Sequence, residues 1–201
     1  IAISGLGILI LLAEIFNARK AIVSLTIVSL FAILGYNISQ YNEFGSYYNN
    51  MIVVDKFSVA FSSLFIIITI FLVALSHDFY KDHPTKISDY IGIKVFLLAG
   101  AVAMVSFGNL AMFFLGIEIL SIALYVLAAS NRLNLRSNEA GMKYFLMGSF
   151  ASGIILFGIC LIYGATGSFD LNVIYQITHT QSYPQWYFIG LVFLVIGMLF
   201  K

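Results

Sequence analysis

The chain has 201 residues, 61% hydrophobic and 9% charged, with a formal net charge of +1. Soluble domains run at roughly 45–50% apolar and about 25% charged, so a water-soluble globule is excluded, and a mean hydropathy of +1.00 makes the outside apolar as well as the core. The near-neutral charge, without a run of like charges, excludes a nucleic-acid footprint, and a single cysteine, Cys160, is too few for a disulfide framework, a zinc cluster or a cysteine-held iron–sulfur centre.

A bilayer-spanning helix needs about 20 mostly apolar residues. Seven such segments run along the chain, over 1–16, 21–36, 57–76, 90–107, 110–129, 142–163 and 187–201. The first reads as a truncated transmembrane helix rather than a signal peptide, because its only charge is Glu14 and no basic stretch precedes its apolar core. The run 91–129 is nearly twice the length of one span, and Gly108-Asn109 is its only turn-forming dipeptide, which predicts a tight hairpin of two helices. Period-two alternation is absent at barrel spacing. The expected fold is an all-α polytopic transmembrane bundle of seven spans, the seventh incomplete. It forms a single transmembrane domain over 1–201, expected to be a fragment truncated at both ends.

Short basic loops stay in the cytoplasm. Loops after the first, third and fifth predicted spans carry Arg19, Lys20, Lys81, Lys86, Arg132 and Arg136, against Lys56 alone on the other side. The first set is predicted to be cytoplasmic, and the loop 165–186 external, with Tyr183, Trp186 and Tyr187 at the interface. Nucleotide, nucleophile and metalloprotease motifs are absent. The stretch GATG at 164–167 lacks the lysine and strand context of a phosphate cradle and reads as a helix end. His77, Asp78, Asp82 and His83 read as a solvated polar loop rather than a metal site.

Ionisable groups inside spans are the candidate functional residues, since each costs roughly 2.5–3.5 kcal/mol at a helix centre. Glu118 sits mid-span, with Phe114, Leu115, Ser121 and Ile122 one turn away and Ala111 and Tyr125 further along the same face. Ser121 and Tyr125 are its predicted hydrogen-bond partners. Lys143, one turn after Glu139, is either half of a surface pair or a functional lysine. Two small-xxx-small pairs, Gly148 with Ser152 and Ser149 with Gly153, predict close packing around that helix. Lys94 is placed to snorkel and Glu14 lies near a basic end, while Asp55 and Lys56 mark an interface. Lys201 has two readings, an interface anchor or a buried amine beside Gly190 and Gly197.

The blocks FFLGIEILSIALYVLAASNR, NEAGMKYFLMGSFASGIILFGICLIYGATGSFDL and FLVIGMLFK resemble subunit N of proton-translocating NADH:quinone oxidoreductase, respiratory complex I, over essentially the whole chain. The resemblance implies an antiporter-like subunit without a redox centre. Glu118, Lys143 and Lys201 would move protons, with 110–201 as the start of the translocation helix unit. It also implies that NADH, flavin, iron–sulfur clusters and quinone belong to partner subunits, and that the chain sits with other complex I membrane subunits in a bacterial inner membrane. The alternatives are a subunit of a multisubunit cation/proton antiporter or membrane-bound hydrogenase, or a passive membrane scaffold.

Overall fold

Long apolar runs fix where helices form, and small polar residues fix where they begin and end. The computed structural model describes residues 1–15, 19–79, 87–131, 133–180 and 185–201, with side chains over 1–13, 22–76, 87–131, 133–178 and 185–201. Its elements are α1 (Ala2–Ile15), α2 (Arg19–Ser39), β1 (Gly45–Tyr47), β2 (Ile52–Val54), α3 (Lys56–Phe79), α4 (Ile87–Val105), α5 (Leu110–Ala128), α6 (Leu135–Thr166), α7 (Leu171–Thr180) and α8 (Gln185–Phe200).

Each well-defined helix start carries a cap that satisfies amide groups with no carbonyl partner in the first turn. Asp55 and Ser58 cap α3 reciprocally, Ser58 N donating to Asp55 Oδ1 at 2.7 Å and Asp55 N to Ser58 Oγ at 2.9 Å. This explains the interfacial aspartate. Asn109 accepts from Met112 N at 2.7 Å to open α5, immediately after the predicted Gly108 turn. Gly167, at φ 72°, closes α6 with its amide on the Tyr163 carbonyl at 2.6 Å. That is the left-handed conformation glycine tolerates best, and the GATG stretch is a helix end as predicted.

The span count differs from the expected seven. Among the described residues, five helices, α2 to α6, are long and apolar enough to cross a bilayer. At 14 and 16 residues, α1 and α8 reach about 21 and 24 Å at 1.5 Å per residue, short of a hydrocarbon core of about 30 Å. Conversely, the 32 residues of α6 extend about 48 Å, so this helix begins seven residues before its predicted start and overhangs the hydrocarbon.

Two features lie where sequence predicts only loops. A hairpin pairs Gly45 with Val54 and Tyr47 with Ile52, and α7 occupies the middle of the loop 165–186. Together they clasp the α4–α5 turn. Val53 N donates to the Ser106 carbonyl at 2.8 Å, Gly108 N to Met51 O at 2.9 Å and Leu110 N to Phe169 O at 2.9 Å. Asp170 joins the two sides, accepting from Asn50 Nδ2 at 2.8 Å and capping α7 at Asn172 N. A Cβ at Gly108 would run into the Asn50 carbonyl, so this turn requires glycine.

The interior has two apolar clusters. Leu6, Ile10, Leu30, Ile66, Val73, Ile91, Val95 and Leu98 pack α1 to α4 together, and Leu110, Ile155, Ile159, Ile162 and Ile174 pack α5 to α7, with Leu194 of α8 against them. Hydroxyls within helices are satisfied locally, as Thr26 on Ile22 O and Thr69 on Phe65 O show. The outside is apolar, with Phe31, Phe71, Leu75 and Phe150 exposed, as suits a chain surrounded by lipid or other membrane proteins.

Candidate functional site

Glycines bring the backbones of α6 and α8 together. A Cβ on Gly190 would lie 2.8 Å from Gly158 O, and one on Gly197 2.6 Å from Ile155 Cγ1. On the other side of α5, a Cβ on Gly116 would meet Met104 N of α4 at 2.7 Å. Small residues at helix contacts permit this approach in lipid, where no solvent-driven hydrophobic force pulls helices together. The sequence pattern suggests that Gly190 and Gly197 leave room beside the Lys201 amine; in the structure they instead seat α8 on α6, which carries the amine inward.

The consequence is an ion pair across 83 residues of sequence. Lys201 Nζ lies 2.6 Å from Glu118 Oε1 and 2.7 Å from Ser152 Oγ, with side chains 13% and 24% exposed for lysine and glutamate. Ser152 completes the triangle, donating to Glu118 Oε1 or to Gly148 O at 2.9 Å. It has one hydroxyl hydrogen for these two acceptors, so it can hold the carboxylate or release it without leaving its helix turn. A lysine and a carboxylate at contact in a partly buried site attract strongly, by about 4 kcal/mol at 4 Å for an effective dielectric of 20. Desolvation opposes that gain. Removing either partner leaves the other charge poorly solvated.

The structure thus brings together two of the three predicted site residues. Of the two readings of Lys201, the buried amine is the one it adopts. Lys143 is elsewhere, 2.5 Å from Glu139 Oε1 on the outer face of α6, with side chains 71% and 58% exposed. The predicted partners of Glu118 also differ. Ser121 donates to Ile117 O at 2.7 Å, and the buried Tyr125 hydroxyl makes no hydrogen bond to Glu118. Ser152 takes their place. Its pairing with Gly148 is legible as a packing motif, but its hydroxyl chemistry is not. Of the two small-residue pairs on α6, Gly148 with Ser152 is buried, whereas Ser149 with Gly153 faces outward. Lys94, expected to snorkel, donates to Ser76 Oγ at the end of the α3 span and reaches Leu72 O at 3.5 Å. The side chains of Glu14, Arg19, Lys20, Arg132 and Tyr183, and those of the 77–86 segment that contains both histidine–aspartate pairs, lie outside the described residues. Among the described residues, no group of three His, Cys, Asp or Glu is placed to hold a metal.

Residues 108–201, which contain the whole triangle, match the family model described as "NADH:quinone oxidoreductase/Mrp antiporter, TM". Over its full 201 residues the chain is 82% identical to NADH-quinone oxidoreductase subunit N of Flavobacterium psychrophilum and 70% identical to that of Flavobacterium johnsoniae, covering 44% and 43% of those relatives. The chain belongs to the subunit N family of NADH-quinone oxidoreductases. It spans less than half the length of these subunit N relatives. Among solved structures it is similar to a chain of respiratory complex I from Thermus thermophilus with bound aureothin, with a TM-score of 0.77, 22% identity, and coverage of 98% of this chain and 42% of that one. It is also similar to a chain of the membrane-bound sulfane sulfur reductase, an archaeal respiratory membrane complex, with a TM-score of 0.76, 21% identity, and coverage of 98% and 44%. At that identity the two structures support the fold alone, a membrane helix bundle.

Proposed function

We propose that this chain is part of a proton-translocating membrane subunit of an NADH:quinone oxidoreductase, and that Glu118 and Lys201 form its switchable charge pair. The observation that carries this reading is the lysine–glutamate–serine triangle in the interior of the α5, α6 and α8 crossing. Opposite charges hold each other ionised there. When a neighbouring subunit draws the carboxylate away, the ammonium loses its counter-ion and gives up a proton to water or to another base. Return of the carboxylate favours its reprotonation. Ser152 steadies either arrangement by exchanging its hydroxyl between Glu118 and Gly148 O. Lys143 enters as a second protonatable group, on the side of α6 open to a neighbour.

In this reading the residues 110–201 begin the translocation unit, and α1 and α8 also cross part of the bilayer as pieces of the bundle. Electron transfer, with NADH, flavin, iron–sulfur clusters and quinone, belongs to partner subunits, and this chain binds none of them. The membrane is the bacterial inner membrane with the basic loops, including Arg136, on the cytoplasmic side. The 82% and 70% identities to subunit N favour this assembly over an antiporter or hydrogenase one.

The test uses the complete subunit in assembled complexes, checked on a native gel. Glu118→Gln and Lys201→Ala are expected to abolish most NADH-driven proton pumping and to slow the coupled electron transfer. Normal proton-to-electron stoichiometry in both variants sinks the switch and leaves a scaffold whose charges only fix helix packing. For orientation, a cysteine at Ser137 in a Cys160→Ser background is expected to resist an impermeant thiol reagent in intact cells. Ready labelling there reverses the topology.

A further inference from the structure

A cavity of about 700 Å³ opens between α1, α4, α5 and α6 at the end of the bundle that carries Arg136. Asp89, Tyr90, Ser130 and Asn138 contribute its polar wall, and Leu11, Met142 and Phe145 much of its apolar one. A volume of that size holds many waters at about 30 Å³ each, and the polar wall supplies hydrogen-bond partners for them. Of the α5 residues that line it, Tyr125 lies farthest from the helix end at Ala128.

Tyr125 is unusual in two ways. The residue is 6% exposed, and its buried hydroxyl makes no hydrogen bond of good geometry although the Ser121 side chain, one turn back on α5, is close enough to act on it, a state that calls for an explanation. The ring is held edge-on by Tyr144 and Phe145, at 4.8 and 5.9 Å between centroids. The hydroxyl is pressed over Gly148, where any Cβ would overlap it. Gly148 O in turn accepts from Ser152 Oγ. The phenol therefore stands between the cavity on one side and, one α6 turn away, the serine that touches both Glu118 and Lys201. Glu118 is also about 10 Å along α5 from Tyr125.

We infer that Tyr125 is a proton relay between this cavity and the Glu118–Ser152–Lys201 triangle, an inference that rests on the proton-moving reading of that triangle. In one passage, with the ring turned so that its hydroxyl meets cavity water, the phenol oxygen takes a proton from a hydrated proton there as its own proton leaves, through water and Ser152, for the Glu118 carboxylate. Rotation of the hydroxyl restores the starting state. One proton moves from cavity to carboxylate, no electrons move, and the tyrosine is unchanged at the end. Glycine at 148 is required in this arrangement because it lets the hydroxyl reach the turn that carries Ser152.

The experiment places Tyr125→Phe in the complete subunit of the assembled complex, beside Glu118→Gln. The phenylalanine keeps the ring and both edge-on contacts and removes only the hydroxyl. NADH-driven pumping in membrane vesicles is expected to fall on the order of a hundredfold, the lower end of what a positioned proton-transfer group supplies. The solvent deuterium isotope effect on turnover is expected to rise, because proton delivery becomes limiting; a purely structural defect slows the reaction without raising it. Wild-type pumping with an unchanged isotope effect in Tyr125→Phe, while Glu118→Gln is inactive, overturns the relay and leaves the charge pair standing. Wild-type pumping in both variants overturns both readings. A second measurement does not depend on that variant assembling. In a Cys160→Ser background, Met142→Cys is expected to react with a charged thiosulfonate from the Arg136 side and to lose pumping on modification. Failure to react, where a control Ser137→Cys does, means that the cavity is closed to water and overturns the relay.

Discussion

The middle of α5 and the outer face of α6 each hold a glutamate–lysine pair, at 2.6 and 2.5 Å. Distance does not separate them. Glu139 and Lys143 share one helix, four residues apart, with side chains more than half exposed, a geometry worth a few tenths of a kcal/mol and screened by salt. Glu118 and Lys201 come from helices 83 residues apart, have side chains 24% and 13% exposed, and share a third polar group in Ser152. Breaking one partner of such a pair leaves a charge that water cannot easily rescue. What distinguishes a surface pair from a functional one in this molecule is thus the packing that carries the charges, which at α6 and α8 is a matter of glycines.

The largest way to break that comparison is therefore steric. Gly197→Leu puts a side chain where even a Cβ would lie 2.6 Å from Ile155 Cγ1 and 2.9 Å from Ile155 N, so α8 must move off α6 and take Lys201 with it. Overpacking of this kind costs typically 1–3 kcal/mol. Loss of pumping comparable to Lys201→Ala, with a lower midpoint of thermal unfolding in detergent, is expected. Retention of wild-type pumping would mean that the lysine reaches Glu118 by a route other than this crossing.

Ser152→Ala is a smaller perturbation of the same site. It leaves the helix contact intact and deletes the hydroxyl shared by Glu118, Lys201 and Gly148 O. Hydrogen bonds to charged groups contribute about 1.5–3 kcal/mol. A pumping rate between those of the wild type and Glu118→Gln is expected, and rescue by Ser152→Thr separates hydroxyl chemistry from packing. An alanine variant with wild-type pumping reduces the triangle to a simple pair.

These contrasts also mark how far the sequence is legible. Helix class, the turn at Gly108-Asn109 and the end at Gly167 follow from apolar length and capping chemistry, and the structure has them. Span number is less legible, because a run of apolar residues bounds helix length only loosely: α6 begins well before its apolar stretch, and five helices among the described residues, not seven, have spanning length. The hairpin at 45–54 and α7 escape altogether, since three-residue strands and one amphipathic ten-residue helix leave little periodicity to count. At the site, Glu118 stands out by depth alone. Lys201 keeps two readings in the sequence because an apolar run ending in lysine fits an anchor as well as a buried charge; only the α6–α8 crossing separates them. Ser152 is legible as a small residue and illegible as a ligand, for its partners arrive from two other helices. Capping offers a check on the legible part. Asn109→Ala is expected to lose about 1 kcal/mol through the Met112 amide, read as a lower unfolding midpoint with pumping retained in the complexes that assemble.

The smallest expected effect concerns the surface pair, and it decides what Lys143 does. If Glu139 and Lys143 only brace the overhanging start of α6, neutralising either one removes the same interaction. Glu139→Gln and Lys143→Gln would then be equivalent, each changing stability by about 0.2–0.5 kcal/mol and neither changing pumping. If Lys143 takes up and releases protons during turnover, the two differ, because Glu139 merely tethers the amine whereas Lys143 carries the proton. The proposal therefore expects asymmetry: pumping slowed in Lys143→Gln and near wild type in Glu139→Gln, with the two unfolding midpoints alike. A double-mutant cycle on stability supplies the physical context. A coupling energy near the exposed-pair range means that the lysine faces lipid headgroups or water in the assembled complex. A coupling above about 1 kcal/mol, more than exposed pairs give, means that a neighbouring subunit covers it. Equal pumping in the two variants at low coupling would remove Lys143 from the pathway and leave Glu118 and Lys201 as the protonatable centre of this chain.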